Sequence, residues 1–226
     1  MKIKKNSFLA LSFMILTLSS CGSKKNLLSE SSFTSLFNGE NLDGWEGNKE
    51  SYKVENGLII IDPNGGGSGG NLYTAKEYSD YVFTFEFQLT PGANNGIGIH
   101  MAPNDHAAYD AMELQILDDT AEKYAELEVY QYHGSVYGVI PAKRGSLKPV
   151  GEWNQQTVTV KGSKITIVLN GTTIVDGDYK EAGKNGTLDH KDHPGLNKNK
   201  GHIGFLGHGD VVRFKNIRIK ELNTEI

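Results

Sequence analysis

The sequence has one cysteine, six prolines and two tryptophans in 226 residues. A lone thiol excludes a disulfide framework and any cysteine-rich metal site. There is no basic excess: 23 Lys and Arg stand against 27 Asp and Glu, a net charge of −4. A nucleic-acid partner is not expected, because neutralising phosphates needs a basic surface. Helical periodicity is almost absent, and so is the HExxH zinc signature. The prominent apolar run, FLALSFMILTL at residues 8–18, has eleven residues, too few for a bilayer that needs roughly 20.

That run follows a basic start, Met1 to Lys5 (MKIKK), and suits a secretory signal. Leu18-Ser19-Ser20-Cys21 then matches a bacterial lipobox, with the small residues fitting a peptidase cleft and the Cys21 thiol carrying the lipid. The expected organisation is a lipoprotein signal peptide at 1–20, lipidated Cys21 with a polar tether to residue 32, and one domain over 33–226. Without residues 1–20 the chain loses three lysines and no acid, so its net charge moves from −4 to −7. The expectation is an acidic, extracytoplasmic protein, lipid-anchored in the bacterial cell envelope at the periplasm or the outer membrane.

Glycine is abundant, 27 of 226, against a usual share of about 7%. The glycines punctuate short alternating segments. Asn56-Gly57 between apolar runs predicts a hairpin. PNGGGSGG at 63–70 predicts a loop, and no Lys-Ser/Thr follows it as a phosphate cradle would require. In YVFTFEFQL at 81–89, Phe83, Phe85 and Phe87 share one face, while Thr84, Glu86 and Gln88 share the other. Residues 112–117, 156–160, 165–169 and 211–219 behave alike. Only 121–130 offers a weak helix. Residues 180–201 predict a long ordered loop, a length that is usually functional or disordered. Many short strands with Gly-rich turns give an all-β fold. About 190 residues exceed an immunoglobulin-type domain of about 100, so the expected architecture is a single two-sheet β-sandwich or jelly roll.

The chemistry candidates lie on strand faces. In MELQILDD at 112–119, Leu114 and Ile116 should face the core, with Glu113 and Gln115 together on the other face. His100 ends GIGIH. His133 and Tyr137 lie in QYHGSVYG, Lys143 and Arg144 in PAKRG, and His208 in GHGD. Imidazole, carboxylate, ammonium and phenol groups suit polyol binding and proton transfer near neutral pH. The spacing of Glu113, Gln115 and Asp118 also resembles that of sandwich glucanases, whose paired carboxylates stand about 5–5.5 Å apart, although Gln115 is not an acid. On a regular strand Glu113 and Asp118 face opposite ways. His106, His190 and His193 could ligate a metal, and Asp189, Asp192 and Asp210 could bind calcium, or all could be solvated polar groups. Trp45 and Trp153 could stack on sugars or simply pack.

Six blocks in order resemble a known family: FTSLFNGENLDGW, KEYSDYVFTFEFQLTPGANNGIGI, MELQILDD, HGSVYGVIPAKRGSLKPVGEWN, LNGTTIVD and HPGLNKNKGHIGFLGHGDVVRFKNIRI. They are similar to the 3-keto-disaccharide hydrolase domain, formerly a domain of unknown function, whose members include many Bacteroidetes lipoproteins. The resemblance spans about residues 33–222. It implies a concanavalin A-like sandwich with a carbohydrate site on its concave face. Glu113 and Gln115 match the family's Glu-x-Gln strand, Tyr137-Gly138 its Tyr-Gly turn, and His208-Gly209-Asp210 its His-Gly turn. The chain departs from it at His100, where many members carry Arg, and at Leu206-Gly207, where many carry Gln-Asp.

The implied reaction starts from a glycoside whose C3 an upstream oxidoreductase has made a ketone. A base removes the acidified C2 hydrogen, the enolate expels the glycosidic oxygen, and water can add to the enone. The resemblance assigns Glu113 as base or metal ligand and Gln115 as a hydroxyl-orienting group. For that reaction the residue chemistry offers His133 or His208 as second acid/base and Lys143 or Arg144 as enolate stabiliser, a role a divalent ion could take instead. Tyr137, Arg144, His100 and Asp118 complete the expected substrate contacts. A non-catalytic sugar-binding module on the same sandwich is the alternative.

Overall fold

The computed structural model describes residues 32–61, 70–103 and 106–222. The signal peptide, Cys21, all but the last residue of the tether and almost all of the 63–70 loop lie outside the described residues. The strands are β1 (Thr34–Ser35), β2 (Trp45–Gly47), β3 (Tyr52–Glu55), β4 (Leu58–Ile61), β5 (Gly70–Thr74), β6 (Tyr81–Leu89) and β7 (Asn94–Met101). They continue as β8 (Met112–Leu117), β9 (Trp153–Lys161), β10 (Lys164–Leu169), β11 (Thr172–Asp178), β12 (His202–Gly207) and β13 (Val212–Glu221). Two short helices, α1 (Ala107–Asp110) and α2 (Tyr179–Gly183), interrupt them.

The strands form two antiparallel sheets. The larger runs β11-β10-β9-β6-β13-β4-β3, with β1 also on β13; the smaller runs β2-β5-β12-β7-β8. Two Asn-Gly turns shape the larger sheet. Asn56 and Gly57 have φ of 52° and 75°, and Asn170 and Gly171 have 49° and 85°, the double positive φ that a tight hairpin demands. Phe83, Phe85 and Phe87 are fully buried between the sheets, facing Ile97, Leu114, Ile116 and Phe205 of the smaller sheet in one core. Burying one Phe contributes about 1.5–3 kcal/mol. A one-residue slip of β6 would swap all three for Thr84, Glu86 and Gln88, so its register is strongly specified. The expected all-β, concanavalin A-like two-sheet sandwich in one domain is the fold observed.

One local expectation changes, and the open choice for each tryptophan resolves to packing. Residues 121–130 form no α-helix; they make single 3-10 turns at Glu122–Tyr124 and Val129–Gln131. Tyr124 and Leu127 from this segment line a surface cleft, so it has no apolar face against the core to reward a longer helix. Trp45 is a core residue: its ring stacks on Phe205 at 5.1 Å and its indole N–H donates to the Leu36 carbonyl at 2.7 Å. Trp153 lies on the larger sheet beneath the Lys215 ammonium, 4.0 Å from the ring centre. Neither indole reaches the cleft.

Candidate active site

Strand β8 is buried on both faces. Met112, Leu114 and Ile116 enter the core, whereas Glu113, Gln115 and Leu117 line a cleft of about 230 Å³ on the outside of the smaller sheet. The neighbouring strand makes room for them. Gly96 of β7 lies opposite Gln115 and Gly98 opposite Glu113. A Cβ on Gly96 would sit 2.3 Å from Glu113 Oε1, so the carboxylate lies across a floor that only glycine leaves open. Beside it, Met101, Ala107, Ala111 and Leu206 form a small apolar cushion. The cushion seats α1 on the sheet, so that His106, Ala108 and Tyr109 border the cleft.

His208 completes the centre from the turn after β12. Asn95 grips that turn: its Oδ1 accepts from the His208 backbone N–H at 3.2 Å and its Nδ2 donates to the Asp210 carbonyl at 3.2 Å. Asp210 Oδ2 accepts from the Asn94 backbone N–H at 2.9 Å. Thus held, His208 Nε2 donates to Glu113 Oε1 at 3.2 Å. The carboxylate is only 5% exposed, while the imidazole side chain is 46% exposed. The hydrogen bond to Glu113 and the negative charge there hold the His208 pKa above its ordinary value, outweighing burial. Gln115 Nε2 donates to Asn94 Oδ1 at 2.7 Å, which leaves the Gln115 carbonyl oxygen as an acceptor.

Tyr137 arrives by a route the strand pattern does not show. The segment after His133 runs along the free edge of β8: Gly134 N–H donates to Gln115 O at 2.8 Å and Tyr137 N–H to Glu113 O at 2.9 Å. Tyr137 thereby joins the cleft, and Gln131 Nε2 donates to its hydroxyl at 3.2 Å. Glu113, Gln115, Tyr137 and His208 are therefore brought together from three stretches of chain.

The other predicted residues lie elsewhere. His133 sits in the core, stacked on Phe87 at 5.2 Å. Its Nδ1 accepts from the Leu117 backbone N–H at 3.2 Å, and its Nε2 lies 3.2 Å from Gln156 Oε1. A backbone N–H only donates, so Nδ1 is bare and the proton rests on Nε2. Burial pushes this pKa down to about 4. A neutral, solvent-excluded imidazole cannot be the second acid/base. Lys143 is exposed, and its backbone N–H donates to Ile174 of β11 on the far edge of the larger sheet. Arg144 stacks over Tyr132 at 3.7 Å and pairs with Asp119 at 3.6 Å. Neither cation borders the cleft. His100 is buried, with φ of 54° and its Nε2 3.3 Å from the Ser79 carbonyl; burial lowers its pKa. It sits where β7 bulges against β12, so the contour of the backbone, not the sugar, explains it.

Asp118 is also a structural group. Its carboxylate accepts from the Gly92 N–H at 2.8 Å, the Thr120 N–H at 3.1 Å and the Thr120 hydroxyl at 2.6 Å. Burial raises its pKa, but these hydrogen bonds outweigh that and hold it below the ordinary value. A carboxylate so engaged is not the partner that a glucanase mechanism would need. The metal candidates also disperse. Asp189 pairs with His193 at 3.0 Å, Asp210 holds Asn94, and among the described residues no three His, Cys, Asp or Glu side chains gather as a metal site. Sequence reasoning missed Asn94, Tyr109, Tyr124 and Gln131. No motif marks them; Asn94 alone carried a signal, as the outward position beside Gln115.

Known proteins resemble this chain in sequence and in fold. A 3-keto-disaccharide hydrolase of Bacteroides thetaiotaomicron is 25% identical, over 84% of this chain and 79% of its own. A solved structure from Parabacteroides distasonis, a glycosyl hydrolase by name rather than by demonstrated activity, is 27% identical. It covers 84% of this chain and 99% of its own with a TM-score of 0.73. A Bacillus subtilis protein with a galectin-like fold, 10% identical over 78% of this chain and 88% of its own, shares the fold alone at a TM-score of 0.50. The family model described as "3-keto-alpha-glucoside-1,2-lyase-like domain" matches residues 32–220. A match over most of the length, with relatives named as glycoside-cleaving hydrolases, makes this chain a member of the 3-keto-alpha-glucoside-1,2-lyase-like domain family.

Proposed function

We propose that the protein cleaves 3-keto-glycosides, 3-keto-disaccharides among them, by removing the C2 proton and eliminating the C1 oxygen, with water then adding to the enone. The observation that carries this is the Glu113–His208 pair: a shielded carboxylate joined at 3.2 Å to a half-exposed imidazole. The hydrogen bond occupies Oε1, and among the described residues nothing bonds Oε2. Glu113 takes the C2 proton on that oxygen. The C2–H pair becomes the enolate, the C1–O bond breaks, and imidazolium His208 protonates the departing glycosidic oxygen. Carboxylate becomes acid, imidazolium becomes imidazole, and the sugar becomes an enone plus an alcohol, so charge and protons balance. The raised His208 pKa suits it to be the acid. Gln115 orients a hydroxyl through its free carbonyl oxygen, and Tyr137 borders the same ring.

The ketone must be made first, so an upstream sugar oxidoreductase belongs to the same reaction sequence. The N-terminal lipobox is the basis for placing the protein on a lipid anchor at Cys21 in the cell envelope. Incubation with a 3-keto-glucoside and with its unoxidised parent tests the chemistry. Release of the aglycone from the keto form alone is expected. Equal cleavage of both would point to ordinary glycosidase chemistry, and cleavage of neither to a binding module.

A further inference from the structure

Elimination by Glu113 and His208 leaves one requirement unmet, and the role of Tyr109 inferred from it rests on that reading. Negative charge must be stabilised as it reaches the former ketone oxygen, yet the described residues that line the cleft include no Lys or Arg, and Lys143 and Arg144 lie elsewhere. The loop between α2 and β12 brings a different cation. Lys191 Nζ donates to the Tyr109 hydroxyl at 2.7 Å, and Tyr109 borders the cleft with Glu113. That hydrogen bond, then electrostatic attraction to the Tyr109 oxygen, raises the Lys191 pKa, and Tyr137 adds to the effect.

The loop is fixed in that position. Asp189, 4% exposed in its side chain, bonds His193 Nε2 at 3.0 Å and accepts from the Lys191 backbone N–H at 3.2 Å. His193 in turn meets the Tyr109 ring edge-on at 5.1 Å, and His106 stacks on the same ring at 5.0 Å. Gly138 permits this approach: a Cβ there would lie 2.7 Å from Asp189 Oδ2 and 2.8 Å from His193 Nε2. A ring clamped by two imidazoles, with an ammonium on its oxygen, is a preorganised donor rather than a mobile surface tyrosine.

We propose that Tyr109 donates its hydroxyl hydrogen bond to the enolate oxygen, and that Lys191 is the positioning residue that polarises this donor. Tyr109 keeps its proton throughout: Glu113 takes the C2 proton, the electron pair of that C2–H bond settles on the ketone oxygen, the Tyr109 hydroxyl bonds that oxygen, and the pair returns as the C1–O bond breaks. The full chain and the variants Tyr109→Phe, Lys191→Met and Lys191→Arg are assayed with a 3-keto-glucoside for kcat, KM and, in heavy water, exchange of the C2 hydrogen. Tyr109→Phe should lower both kcat and exchange by about 10²–10³-fold at similar KM. Lys191→Met should lower both about tenfold with an unchanged melting temperature, and Lys191→Arg should recover most of that loss. In the double variant Lys191→Met should add nothing to Tyr109→Phe, because the ammonium acts through the phenol. Full exchange and turnover in Tyr109→Phe, or a Lys191→Arg variant no better than Lys191→Met, overturns the assignment while leaving the Glu113 reading intact. A wild-type protein that neither exchanges nor cleaves overturns both.

Discussion

Two imidazoles in this molecule make nearly the same contact and end in opposite states. His133 Nε2 and His208 Nε2 each lie 3.2 Å from a side-chain oxygen, Gln156 Oε1 in one case and Glu113 Oε1 in the other. The first oxygen belongs to a neutral amide within the core, the second to a carboxylate at the floor of an open cleft. Burial dominates at His133 and drives its pKa to about 4. The carboxylate dominates at His208 and raises its pKa. Hydrogen-bond distance therefore does not identify an acid/base group. The charge of the partner and the access of water decide it.

If Glu113 and His133 responded alike to mutation, burial and partner charge would not be what separates the two imidazoles. Glu113→Gln should lower kcat on a 3-keto-glucoside by about 10²–10⁴-fold with little change in melting temperature, read from aglycone release and a thermal melt. Retained turnover would remove Glu113 from the chemistry. His133→Leu should do the reverse. It strands the Leu117 N–H and the Gln156 amide, at a cost of about 2–4 kcal/mol in urea unfolding, while kcat per folded molecule holds.

Acid sharpens the same contrast. Unfolded, His133 titrates near pH 6.5; folded, it titrates near 4. Below pH 6.5 the unfolded chain takes up a proton that the core refuses, so stability falls as the pH drops toward 4. That component is about 3 kcal/mol, and urea titrations should show it missing in His133→Leu. His208 works the other way. It is needed protonated, so kcat should fall as pH rises through its raised pKa, and His208→Gln should abolish that alkaline limb. The smaller effects lie at the margins. Gln115→Ala should raise KM by up to about tenfold at similar kcat. Both Lys143→Ala and Arg144→Ala should leave kcat unchanged, because neither side chain borders the cleft; Lys143→Ala should stay within about 0.5 kcal/mol in stability, and Arg144→Ala should cost about 1 kcal/mol through its lost contacts with Tyr132 and Asp119.

Much of the fold was legible because strand alternation is local. The period of two in residues 81–89 gave β6 its bounds and its buried face, and Asn56-Gly57 gave the hairpin between β3 and β4. The same logic placed Glu113 beside Gln115. It failed for residues 121–130, whose spacing suits a helix but which have no apolar surface to pack on. It failed for His133, since an imidazole beside glycine in a turn carries no sign of the core it enters. It also had no means of pairing Tyr109 with Lys191, 82 residues apart.

Local patterning was enough to place the long strands, the Asn-Gly turns, and a carboxylate and an amide on one face of β8, because those follow from bonds between near neighbours. Which of seven histidines meets that carboxylate, and that the nearest cations by sequence motif stay away from the cleft, follow from the folded arrangement alone. Those outcomes depend on how two sheets stack and where long loops return. Such contacts join residues whose separation along the chain carries no periodic signal.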